Sequence, residues 1–106
     1  MIKDALADLI DLFLQEAPSR LEAIEKAIAR NDVNSMASTI NGAAALKGSA
    51  VNLGARNLAA LCDEIEQSPK TGLLSDAAQL VDKAKQEFAR AQEALNKLKS
   101  EATERG

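Results

Sequence analysis

Apolar residues recur at spacings of three and four in four stretches of the chain, the period that gathers side chains on one face of an α-helix. In the first stretch Leu6, Ile10, Phe13, Ala17, Leu21, Ile24 and Ile28 keep one phase. Pro18 interrupts it, because proline lacks the N–H that would bond the Leu14 carbonyl, and this predicts a kink or a brief break. The apolar phase survives across Pro18, so two nearly collinear pieces on one core are expected, not a hairpin. Arg30–Asn31–Asp32 closes the stretch, and Asn31 or Asp32 is placed to cap the next helix.

The second stretch runs from about Val33 to Leu53, with Met36, Ile40, Ala43, Lys47, Ala50 and Leu53 on one stripe and Leu46 beside it. Gly54 fits a helix stop, since glycine takes left-handed backbone angles without penalty. The third stretch is short, Arg56 to about Glu66, and points Leu58, Leu61, Cys62 and Ile65 inward. Gln67 to Leu74 carries Ser68–Pro69 and Thr71–Gly72 and reads as the longest loop. The fourth stretch spans about Ser75 to Ser100, opened by a Ser75–Asp76 capping signal. Its stripe is Ala77, Val81, Ala84, Phe88, Ala91, Leu95 and Leu98. Glu101 to Gly106 lack periodicity and are expected to fray. Short connections favour antiparallel neighbours, so the expected fold is all-α: an antiparallel up-and-down four-helix bundle in one domain, residues 1–106.

Composition supports this and removes several functions. Of 106 residues 46% are hydrophobic, and Phe13 and Phe88 are the only aromatics. That is one modest core, built mainly from the good helix formers alanine and leucine. The net charge is −3 with both signs interspersed. No basic stripe exists to displace counterions from a phosphate backbone, so no nucleic-acid partner is expected. No apolar run approaches the roughly 20 residues that cross a bilayer, and Met1–Ile2–Lys3–Asp4 opens without a signal-peptide hydrophobic region. With Cys62 the sole cysteine, no intrachain disulfide forms and the cytoplasm is the expected compartment. Cys62 falls on an apolar stripe and reads as core. Asp63, Glu64 and Glu66 read as a solvated acidic face; without histidine they make no metal site, and no cofactor is expected.

One segment departs from ordinary helix surface. Between Asn34 and Arg56 the only charged residue is Lys47, in a chain that is 27% charged. One side of this helix is the stripe given above. The adjoining side carries Ala37, Asn41, Ala44, Gly48 and Val51, all small or uncharged. Gly48 costs the helix about 1 kcal/mol relative to alanine. Periodicity leaves two explanations. In one the helix is central and buried on most sides, with Gly48 allowing close packing. In the other this face receives another protein. Asn41–Gly42 adds a second weakening glycine nearby and looks loose for the helix.

Residues 43–55, Ala-Ala-Ala-Leu-Lys-Gly-Ser-Ala-Val-Asn-Leu-Gly-Ala, resemble the signature of histidine phosphotransfer (Hpt) domains, in which an Ala-His-x-Leu-Lys-Gly-Ser stretch leads to a Leu-Gly-Ala turn. Asp11, Phe13, Pro18, Leu21 and Ile24 resemble the family's first long apolar segment. Asn57 to Glu66 is similar to its next helix, and Phe88 stands where the last helix often carries phenylalanine. The resemblance implies that the phosphate-accepting histidine position is Ala44. The chain contains no histidine. Neutral imidazole accepts a phosphoryl group through a ring nitrogen lone pair; a methyl group has none. Ser49, five residues on, has no candidate base, so no catalytic residue and no enzyme activity are expected.

By the same resemblance Lys47 lies in the phosphate environment, where its cation neutralises transferring charge, and Gly48 keeps space open for a partner's loops. On residues alone, Lys47 reads as a lysine whose stem covers the core edge. The implied partner is a response-regulator receiver domain or a sensor histidine kinase, met by Ala37, Asn41, Ala44, Ala45, Lys47, Gly48 and Val51, with Lys47 toward the receiver's acidic pocket. Ser49 and Asn52 stand at the rim. Ala44 fits a natural docking module that carries no phosphate, or an active relay domain altered from His to Ala. A purely structural bundle is the third alternative.

Overall fold

The computed structural model describes residues 2–30, 32–71 and 74–105. Four helices occupy them: α1 (Ile2–Arg30), α2 (Val33–Asn52), α3 (Arg56–Thr71) and α4 (Leu74–Arg105). Each packs on its neighbours in sequence, and α1 meets α4 to close the ring, while among the described residues the diagonal pairs make no such contact. The expected bundle is therefore the observed one. Phe13 and Phe88 face each other across the α1–α4 seam, ring centroids 5.7 Å apart and tilted by 59°, a favourable offset arrangement. Around them pack Ile10, Leu21, Ile24, Leu46, Leu58, Ile65 and Val81. Exposed ion pairs, Lys85 to Glu25 and Lys99 to Asp11, join α4 to α1 outside the core.

Helix boundaries correct the sequence reading in three places. α1 runs unbroken through Pro18, which lies exposed between buried Ala17 and Leu21, so of the kink or break expected there the break does not occur. α3 continues to Thr71, past Ser68–Pro69, where a loop is expected. Pro69 cannot donate to the Ile65 carbonyl; the buried Ser68 hydroxyl donates to it instead, at 2.7 Å, and the helix continues. Gly72 lies outside the described residues. α4 begins at Leu74, so Ser75–Asp76 sits inside its first turn, and the helix extends through Arg105 instead of fraying after Ser100.

α2 is positioned at both ends by local chemistry. Asp32 is its N-cap, accepting the Ser35 N–H at 2.8 Å, and that bond holds its carboxyl below the ordinary range. Asn31, the alternative cap, lies outside the described residues. At the other end Gly54 takes φ +76°, the Gly54 N–H bonds the Val51 carbonyl and the Ala55 N–H bonds the Ala50 carbonyl. This paired 5→2 and 6→1 closure is the Schellman motif, and it turns the chain into α3 within three residues.

The buried stripe of α2 is rotated from the expected one. Ser35, Thr39, Ala43, Leu46 and Ala50 are buried, whereas Met36 and Ile40 are only half-buried. Thr39 is tolerated inside because its hydroxyl donates to the Ser35 carbonyl at 2.9 Å. Gly42 is not loose: a Cβ there would stand 3.1 Å from Ile24 Cγ1, so its absence lets α2 approach α1. Gly42→Val is expected to destabilise the fold by about 1–3 kcal/mol through overpacking, read by chemical denaturation. Ser68→Ala, which removes the hydroxyl bond to the Ile65 carbonyl, is expected to cost about 1 kcal/mol in the same assay.

Candidate functional site

The face of α2 left uncovered by α1 and α3 is the one that sequence reasoning singles out. Ala37, Asn41, Ala44, Ala45, Gly48 and Val51 are exposed, and Lys47 is half-buried at the edge toward α3. The alternative in which α2 is central and buried on most sides is thereby excluded. So is a packing role for Gly48: a Cβ built there meets nothing within 4 Å. The helix carries a glycine at an open, solvent-facing position where alanine would be more stable. Ser49 is half-buried with its hydroxyl directed at the Ala45 carbonyl, 3.4 Å away, and Asn52 is exposed.

Lys47 does not project freely from this face. Its Nζ donates to Asp63 Oδ1 at 3.1 Å and lies 3.5 Å from Glu66 Oε1, both on α3. The Asp63 hydrogen bond, with the charges of Glu66 and Asp63, outweighs partial desolvation and raises the Lys47 ammonium above its ordinary value. Asp63 and Glu66 stand three apart on α3, so both face Lys47. Glu66 is not part of a solvated acidic face: its side chain is 15% exposed, and among the described residues its buried Oε1 is held by the 3.5 Å ion pair to Lys47 and not by a hydrogen bond. One lysine thus faces two carboxylates, a formal charge of −1 for the group.

Cys62, one residue before Asp63, is wholly buried, and burial pushes its thiol up to about 11 against a smaller opposing pull from the Lys47 charge. It stays protonated at neutral pH and is core, as its stripe position indicates.

Sequence reasoning missed an apolar extension of the same surface. Leu9 and Leu12 of α1 are 56% and 51% exposed, and Val51 is 61% exposed. Leu9 and Leu12 line a groove with Phe13, Glu16, Ser49, Asn52 and Leu53 where α2 ends against α1. The signal was present: both leucines fall outside the Leu6–Ile10–Phe13 stripe, so a helix burying that stripe leaves them outward. Asp63 and Glu66 carried no such signal, because their partner is 16 and 19 residues away on another helix.

Among the described residues no group of side chains is arranged to hold a metal ion, and no helix is long and apolar enough to cross a membrane. No curated protein and no solved structure matches the chain. The profile of the Hpt domain family matches residues 8–101. That span takes in all of α2 and α3 and most of α1 and α4, and it coincides with the bundle that the Leu-Lys-Gly-Ser and Leu-Gly-Ala segments implied. The chain belongs to the Hpt domain family, the helical modules of phosphorelay signalling.

Proposed function

We propose that this Hpt domain docks a receiver domain, or a kinase, through the outward face of α2 and does not itself accept phosphate, Ala44 standing at the acceptor position. The observation that carries the reading is Gly48: an exposed helical glycine with open space around its missing Cβ, amid Ala37, Asn41, Ala44, Ala45 and Val51. Such a face lets another protein's backbone come close, and a cost of about 1 kcal/mol in helix stability without any packing return is accounted for by a partner. The loss of phosphate acceptance rests on chemistry. The chain has no histidine, and the Ser49 hydroxyl is directed at the Ala45 carbonyl of its own helix.

A second reading keeps the relay function and removes only the nucleophile, as an altered His→Ala chain would. The survival of Lys47 and Gly48 at three and four residues beyond Ala44 favours it. Ala44→His separates the two. Labelling of that variant by a phosphorylated receiver, with the parent chain unlabelled, establishes a relay domain lacking only its imidazole. A variant that binds the receiver and stays unlabelled establishes a docking module.

The docking reading itself is tested by calorimetric titration of receiver domains from the same organism. At least one is expected to bind, and Gly48→Leu is expected to weaken that binding tenfold or more. In denaturation the same variant should hold or gain about 0.5–1 kcal/mol, since leucine is the better helix former at an open site. Failure of every receiver to bind, or equal binding by Gly48→Leu, removes the α2 face from the function.

A further inference from the structure

The charge arrangement beside Ala44 has a bearing on which form of a partner docks. Lys47 is the only cation between Asn34 and Arg56, and it is tied across the helix seam to Asp63 and Glu66. The next cations along α2's flanks are Arg30 and Arg56, beyond its two ends. A dianionic phosphoryl group brought up to this face therefore meets one lysine whose charge is already exceeded by two carboxylates. To pair with it, Lys47 must leave Asp63 and draw away from the buried Glu66 oxygen, for which no other partner stands among the described residues. An uncharged or cation-compensated acceptor site makes no such demand, and the surrounding alanines, Gly48 and Val51 favour apolar contact.

On the docking reading above, we propose that Asp63 and Glu66 are positioning residues: they hold the Lys47 ammonium against α3, so that the α2 face selects the unphosphorylated form of a receiver over its phosphorylated form. Selection acts through the partner's charge and not through new contacts. Releasing Lys47 should then reverse it, because a free ammonium beside Gly48 attracts the phosphoryl group that the bound one does not.

The test uses the full chain and a receiver that binds it, with magnesium alone and with beryllofluoride as the aspartyl-phosphate mimic, by calorimetry. The parent chain is expected to bind the fluoride-free receiver about tenfold more tightly. Asp63→Asn should narrow that ratio to about one or invert it, and Asp63→Glu should restore it; a role confined to fold stability leaves the ratio unmoved. Equal or tighter binding of the beryllofluoride form by the parent overturns the proposal, as does an unchanged ratio in Asp63→Asn. If neither form binds, the docking reading falls and takes this one with it.

A second measurement needs no partner. Ala44→His gives the chain a single imidazole, whose pKa by NMR reports the local field. A value above the reference of about 6.5, falling in the Asp63→Asn background, is expected. A value below the reference in Ala44→His alone shows that the lysine dominates the site and overturns the proposal.

Discussion

The rotation of α2 about its own axis decides which residues it leaves to solvent, and the absence of a side chain at Gly42 permits the close approach to α1 that goes with that rotation. Ile24 fills the space where a side chain would stand, so α2 lies against α1 with Ala43, Leu46 and Ala50 turned inward. A helix gives its residues no independent choice: once those are buried, Ala44 and Gly48 must point outward, about 100° per residue further round. The Asp32 cap and the Gly54 turn then fix where this face begins and ends. The two glycines of α2 do opposite work. One stands close against a neighbour that is present, the other faces open space.

Electrostatics finish what packing begins. Exposed pairs such as Lys85–Glu25 contribute little energy in water and mainly align helices. The Lys47 group differs because one of its oxygens is buried, so its geometry has a defined resting state. It also anchors α2 to α3 on the side away from Ile24. The face is thus framed by an apolar groove at Leu9 and Leu12 on the α1 side and by a charge-compensated lysine on the α3 side.

Much of this was legible in the sequence, and the exceptions have physical reasons. The stripes of α1 and α4 were readable because aliphatic residues mark them, apart from Leu98 at the far end of α4, which is 43% exposed, and Leu-Gly-Ala announced the turn after α2. The α2 stripe was right at Ala43 and Ala50 but one position off at Met36 and Ile40, because Ser35 and Thr39 look polar, yet Thr39 satisfies its hydroxyl within its own helix and so can be buried. The end of α3 was misplaced because Pro69 reads as a stop, while Ser68 supplies the missing donor. Gly42 looked like weakness because nothing in a sequence shows what stands opposite. Lys47 could be read as a phosphate-side cation or a core-edge stem, and its actual partners, Asp63 and Glu66, come from a helix crossing that no local pattern encodes. The face itself was legible as an absence of charge, and the fold was needed to show that this absence is exposed to solvent.

The missing imidazole has a consequence beyond group transfer. Histidine is the side chain whose unperturbed ionisation falls in the range that cells traverse, and the one thiol, which elsewhere titrates just above it, is pushed by burial to about 11. The domain therefore lacks the usual chemical sensor of mild acidification. On the docking reading, no imidazole of this chain ties occupancy of the α2 face to the acidity of the medium.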